Sequence, residues 1–274
     1  ETDSPYNRPP LSKDLWKGTT MASIWRNTAD RGTELHLACK VESIDPERKW
    51  IVACRRTSHT FDKLLLATGG TPRRLPFGAD RIIYFRTLAD YRRLQALAEK
   101  GQRFAVIGGG FIGSEITAAL ASNGKQVTMI TPEQTIGRRV FPRDLGIFLN
   151  GYYRQKGVEL LPEERAVDVE ARGDFLAVKT RGLKSARERE IKVDGVVAGI
   201  GLQPNIDLAK AAALQVDNGI IVDEYLRTNH PDIYAAGDVA AFYNPSLRNR
   251  IRVEHEDNAN TMGRMAGRNM AGER

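Results

Sequence analysis

The sequence predicts an α/β protein in which parallel strands alternate with helices. Two observations carry this. Residues 103–130 read strand, glycine turn, helix, strand, with the apolar period changing from two to nearly four and back. The runs Val193–Ile200 and Ile233–Ala236 are apolar on both faces, as in strands buried between helix layers. The length agrees: 274 residues suit about two domains. Hydrophobic residues make up 41%, too many for a disordered chain.

Taken in order, residues 1–30 are polar and irregular, broken by Pro5, Pro9 and Pro10. Short strands are expected at Glu34–Leu37, Val41–Ile44, Trp50–Cys54 and Lys63–Thr68, parted by turn residues such as Asp45-Pro46 and closed by Gly69-Gly70-Thr71-Pro72. Residues 87–99 carry Leu88, Tyr91, Leu94 and Leu97 on one helix face, capped by Thr87 or Asp90 and stopped by Gly101. Strand Arg103–Ile107, helix Phe111–Ser122 and strand Gln126–Ile130 form the central βαβ unit. Helix Leu145–Gln155 and strand Val158–Leu161 follow. Val167–Val169, Phe175–Lys179 and Glu188–Lys192 read as an antiparallel meander. Beyond Pro204 come a helix near Asp207–Ala213, a strand Ile220–Val222, and a last helix from about His255 to Met270. No internal repeat or low-complexity segment is present.

Composition excludes some classes. No run of about 18 apolar residues exists, so a membrane-spanning helix is not expected. Cys39 and Cys54 form no CxxC pair, which argues against a disulfide scaffold, structural zinc and a dithiol redox centre; no metal site is expected. His36, His59 and His230 have no ligand spacing. The net charge of +7 fits nucleic acid, an anionic membrane or an acidic protein, but the basic residues are spread out and read best as a solvated surface.

Gly108-Gly109-Gly110-Phe111-Ile112-Gly113 fits GxGxxG between a strand and a helix. The glycines permit a tight turn, backbone approach to a pyrophosphate and close helix–strand packing. The helix N-terminus then offers N–H groups and positive partial charge to phosphate. Glu133 lies twenty residues past Gly113, where a carboxylate can accept from a ribose 2′-hydroxyl. That favours NADH; Arg138 and Arg139 could instead hold a 2′-phosphate, so NADPH stays open. Gly199 and Gly201, at the end of the Val193–Ile200 strand, are assigned to the same dinucleotide site.

Four further motifs then become legible. Pro5-Tyr6-Asn7-Arg8-Pro9-Pro10-Leu11-Ser12-Lys13 resembles a signature of FAD-dependent pyridine-nucleotide oxidoreductases. Ala67-Thr68-Gly69-Gly70-Thr71-Pro72-Arg73 resembles their ATGGTPR turn, and Ile233-Tyr234-Ala235-Ala236-Gly237-Asp238 their second flavin-contact strand. Arg252-Val253-Glu254-His255 resembles the variant of apoptosis-inducing factor and its bacterial relatives; the ferredoxin-reductase branch usually differs there. The resemblance implies two Rossmann-like domains: a nicotinamide domain at 84–203, inserted in a discontinuous FAD domain formed by 1–83 and 204–274.

It also implies roles. Arg8, Pro9 and Arg73 would lie near the flavin or its pyrophosphate, with Ala67, Thr68 and Gly69 beside it and Val41 at the adenine. Lys13 and Glu115 would pair beside the reactive flavin nitrogen. Asp238 would accept from the ribityl chain. Glu254 and His255 would sit near the flavin ring and nicotinamide, making Lys13, Glu115 and His255 the catalytic set. Each has a plainer alternative: a solvated lysine, a surface glutamate, a turn aspartate, a residue at a helix start. The family also has a Gly-rich FAD loop ahead of the Pro5–Lys13 segment and a C-terminal domain. Neither is in this sequence, and Glu1 is not a natural start. The FAD domain is thus expected to be truncated, the nicotinamide half intact and a protease-resistant core to lie near 84–203.

The implied function is an FAD-dependent NAD(P)H oxidoreductase. Hydride passes from NADH to flavin, then electrons pass to a ferredoxin- or rubredoxin-like protein, a quinone or oxygen. An acidic iron–sulfur partner suits the basic surface. The alternatives are an NADH-responsive switch, with weak DNA binding, or an NAD-binding fragment without flavin. A homodimer and a cytoplasmic location are further expectations.

Overall fold

The structure is a computed structural model describing residues 1–185 and 187–273, with the backbone alone described at Arg55. Its first strands are β1 (Ser43–Asp45), β2 (Trp50–Val52), β3 (Ser58–Thr60), β4 (Leu64–Leu66), β5 (Gly70–Pro72) and β6 (Ile82–Tyr84). Helix α1 (Leu88–Lys100), β7 (Arg103–Ile107), α2 (Phe111–Ser122), β8 (Gln126–Thr131), α3 (Arg143–Gln155) and β9 (Glu159–Pro162) follow. Next come β10 (Glu164–Arg172), β11 (Phe175–Gly182), β12 (Glu188–Val193), β13 (Gly195–Ala198), β14 (Leu202–Pro204) and α4 (Asp207–Ala211). The chain closes with β15 (Val216–Asp217), β16 (Gly219–Val222), β17 (Ile233–Ala235), β18 (Ala240–Asn244), β19 (Asn249–Ile251) and α5 (Glu256–Met270).

The described chain divides into two compact units. The glycine-turn unit holds residues 5–26 and 72–201; the split unit holds 1–4, 27–71 and 202–274. This differs from the expected breaks after 83 and 203, chiefly because residues 5–26 join the glycine-turn unit. Tyr6, Leu11, Leu15 and Ile24 are buried in one core with Leu88, Leu94, Ile116 and Leu120. The Leu88 N–H donates to the Tyr6 hydroxyl at 3.0 Å. The segment read as polar and irregular is irregular, but its short 3-10 turns aim scattered apolar side chains inward.

The centre of the glycine-turn unit is an all-parallel sheet in the order β6-β13-β7-β8-β9. Phe104, Ala105, Val106 and Met129 are fully buried in it, as expected of strands covered on both faces. Thr87 and Asp90 form a reciprocal capping box at the start of α1. Helix α2 has the boundaries the sequence implies. Strands β10, β11 and β12 form the expected antiparallel meander.

Helix α3 is turned in an unusual way. Leu145, Ile147, Phe148 and Tyr152 are exposed, whereas Gly146 and Asn150 face inward. The Asn150 amide accepts from Ile136 N–H at 3.0 Å and donates to the Gln134 carbonyl at 2.9 Å, so the helix pins the turn that follows β8.

In the split unit β4 and β17 run parallel, β1-β2-β3 form an antiparallel sheet, and β15-β16-β18-β19 a mixed one. Leu66, Ile220, Val222, Ile233, Ala235, Val239, Met262 and Ala266 form its core. The strand expected at Glu34–Leu37 does not form. Leu35 and Leu37 alternate with polar residues, but Leu37 is exposed and Ala38 turns at φ 54°. A disulfide joins Cys39 to Cys54, although the sequence argued against a cysteine framework. The approach of Cys39 to the end of β2 is a tertiary contact that spacing does not encode. Among the described residues no helix is long and apolar enough to cross a membrane.

Candidate functional site

The glycine turn sits where β7 ends and α2 begins. Gly108 has φ 107°, and a Cβ there would lie 2.5 Å from the Gly199 carbonyl oxygen. A Cβ on Gly113 would overlap the Gly108 carbonyl, and one on Gly199 would lie 2.7 Å from Gly113 N. Gly199, just past β13, is therefore part of the same close packing. No side chain caps α2, so its first N–H groups are available to an anion, as a pyrophosphate requires. The cradle fits a dinucleotide. Gly201 (φ 94°) lies against Arg73, whose N–H donates to its carbonyl at 2.9 Å. Phe111 and Ile112 are exposed on the first turn of α2.

Glu133 follows β8 by two residues and is already engaged. Its Oε2 accepts from Thr131 Oγ1 at 2.8 Å, and its Oε1 takes Arg139 Nε at 3.1 Å. Arg139 is 84% exposed, so its ion pair is weakly held in water and can open for a ribose. Sequence reasoning set the two residues as alternatives; the structure makes them partners.

Lys13 and Glu115 are 102 residues apart in sequence yet meet at 3.2 Å between Nζ and Oε1. Buried Ser12 donates its hydroxyl to Glu115 Oε2 at 2.6 Å, so both carboxylate oxygens are taken. Ser12 lay inside a quoted motif without a role; only the fold shows what it does. Arg8 and Pro9 open the same turn. Glu115 also lines a cavity of about 330 Å³ with Phe111, Ser114, Phe141, Leu149 and Tyr153. Burial pushes the Tyr153 hydroxyl's pKa above its ordinary value, and that hydroxyl donates to the Ser114 carbonyl at 3.2 Å.

The remaining candidates lie in the split unit. Strands β4 and β17 are neighbours, and Ala67-Thr68-Gly69 and Asp238 follow their carboxyl ends, where open parallel sheets bind ligands. Gly69 and Gly237 have φ 60° and 75°, so the backbone turns sharply at both. Asn205, absent from the sequence reading, clamps the first turn: its amide donates to the Thr68 carbonyl at 2.8 Å, and its carbonyl accepts the Thr68 hydroxyl at 2.8 Å. Val41 is half-buried against the core.

Arg252 is a second residue without a role in the sequence reading. Its guanidinium, 9% exposed, donates to the Asp238 carbonyl at 2.8 Å and pairs with Glu254 at 2.7 Å. It thus links two candidate flavin residues. His255 caps α5, its Nδ1 accepting from Asp257 N–H at 3.1 Å. That matches its plainer alternative as a helix-start residue.

Comparison with known proteins identifies the family of the chain. Residues 1–263 match the model of the family described as pyridine nucleotide-disulphide oxidoreductase. The chain is 36% identical to the ferredoxin–NAD(+) reductase component of the anthranilate 1,2-dioxygenase system of Burkholderia cepacia, over 99% of this chain and 68% of the relative. It is 35% identical, with the same two coverages, to the ferredoxin reductase subunit of the 5,5'-dehydrodivanillate O-demethylase of Sphingobium sp. (strain NBRC 103272 / SYK-6). The reductase in a covalent putidaredoxin reductase–putidaredoxin complex superposes with a TM-score of 0.92 at 31% identity, over 99% of this chain and 67% of that one.

Proposed function

The chain belongs to the pyridine nucleotide-disulphide oxidoreductase family, and from that premise we propose that it moves hydride from NADH to FAD and passes the electrons to a small acidic iron–sulfur protein. FAD and a nicotinamide nucleotide are the cofactors of this family of oxidoreductases. The observation that carries the proposal is the Ser12–Glu115–Lys13 cluster, which ties the first motif of the chain to the helix opened by the glycine turn.

FAD, when bound, supplies a two-electron acceptor that can release electrons singly to an iron–sulfur partner. The chain's own residues position and charge the site. The free N–H groups of α2 take the dinucleotide pyrophosphate. Glu133 accepts from the ribose hydroxyls as Arg139 swings away, which favours NADH. Ser12 fixes one oxygen of Glu115, so the carboxylate cannot rotate, and its other oxygen holds the Lys13 ammonium in place. That ammonium stabilises negative charge developing beside it. Thr68, Gly69 and Asp238 hold the flavin side, with Asn205 and Arg252 as the residues that set them. The net charge of +7 draws an acidic partner by long-range attraction. The relatives' names support that choice: two are ferredoxin reductases, and a third was solved with putidaredoxin. The proposal takes the protein as cytoplasmic and dimeric, and it divides the chain into a nicotinamide domain within a flavin domain.

Anaerobic stopped-flow reduction of the FAD-loaded chain by NADH tests it. Lys13→Met should slow the step about a hundredfold while the Kd for NADH stays within a fewfold. An unchanged rate removes Lys13 from the chemistry.

A further inference from the structure

The Cys39–Cys54 disulfide belongs to none of the groups assigned above. Both cysteines are half-buried, and the segment 33–40 that carries Cys39 is otherwise exposed except at Leu35. That segment joins no sheet. Its non-covalent ties include a backbone bond from Ala38 N–H to the Glu1 carbonyl, a surface pair between His36 and Glu34, and an edge contact between the His36 and His59 rings at 5.1 Å. Past Cys39, Val41 packs on the split-unit core and Glu42 N–H bonds the Val52 carbonyl at 2.7 Å. The bridge is therefore the covalent tie between an exposed segment and the sheet beside Val41. Lys40 follows Cys39 and Arg56 lies two residues past Cys54; both are exposed, and a cation close to a sulfur stabilises a leaving thiolate.

We propose that Cys39–Cys54 is a reversible thiol-exchange site whose substrate is a dithiol reductant, and that opening it loosens residues 33–42 and the seat of Val41. The consequence for flavin rests on the placement of Val41 at the adenine. One thiolate of the reductant attacks a cysteine sulfur, and the S–S bond breaks to give a mixed disulfide and a protein thiolate. The reductant's second thiol displaces the other cysteine. Two cysteine thiols form as the dithiol becomes a disulfide, a transfer of two electrons and two protons. In a thiol-reducing compartment the open form would prevail.

The test uses the purified full chain, with dithiothreitol as the dithiol. Iodoacetamide should label no cysteine before reduction and both afterwards. Trypsin should cut after Lys40 roughly a hundredfold faster in the reduced chain, with cleavage in residues 72–201 unchanged. Cys39→Ser should cut at the fast rate with or without dithiothreitol; Cys54→Ser checks this independently. Two labelled thiols in the untreated chain, or equal cutting at Lys40 in both states, would overturn the exchange site. FAD affinity measured in both states separates the two parts: weaker binding on reduction supports the link to Val41. Faster cutting with unchanged affinity keeps the exchange site and overturns that link.

Discussion

Glu133 shows how a single residue combines two readings. Its carboxylate is shared by Thr131 and a well-exposed Arg139, so on the proposed function a ribose would compete with that guanidinium for it. Glu133→Gln should weaken NADH binding about tenfold, the range of a hydrogen bond to a charged group, while NADPH binding changes less. Titration of both nucleotides checks this, and equal losses would remove Glu133 from discrimination. Arg252→Met should destabilise the split unit by about 2 kcal/mol, because the Asp238 carbonyl and Glu254 both lose their partner. Chemical denaturation reads that loss. The close packing at Gly108 and Gly113 was legible from the spacing of the glycine motif, and the pairing of Lys13 with Glu115 from the family resemblance. Ser12, Asn205 and Arg252 were not, because their work is to hold another residue, and only the fold supplies that neighbour.

At the scale of elements, local signals and tertiary ones part company. Helix α2 and strand β7 have the boundaries read from the sequence, since a glycine turn and a change of period mark both ends. For α1 the sequence offered Thr87 or Asp90 as the cap, and the structure joins both in one capping box, so Thr87→Ala should cost about 1 kcal/mol in thermal or urea unfolding. The short strands β3, β6, β18 and β19 carry no comparable signal; pairing with neighbours makes them strands. The start of β7 is secured from a distance by Asp194. Its carboxylate accepts from the Arg103 guanidinium and from the N–H groups of Gln102 and Arg103. The Arg103 side-chain bond is the largest cause holding its pKa down, from 3.8 to about 2. The folded form therefore binds this proton less readily than the unfolded chain. The stabilisation is fully present above pH 3.8 and fades as the pH falls through 2. Asp194→Asn should flatten the fall in urea midpoint between pH 4 and 2; a slope equal to wild type would contradict it.

For the whole molecule, the two compact units matter more than the order of the sequence. The α/β class was legible from two buried apolar runs and one βαβ unit. The division of the chain was not, because residues 5–26 join the glycine-turn unit through dispersed side chains such as Tyr6, Leu11 and Ile24. The basic charge is likewise a property of the entire chain. Its attraction for an acidic iron–sulfur protein should fall steeply between low and physiological salt, as association rates measured by stopped flow would show. Hydride transfer from NADH to FAD, as proposed, is read from the visible absorption spectrum of the purified, FAD-supplemented chain. Oxidised-flavin bands that stay with the protein through gel filtration, then bleach when NADH is added without oxygen, are the expected result. A protein that emerges colourless, or bands that persist under excess NADH, would contradict it.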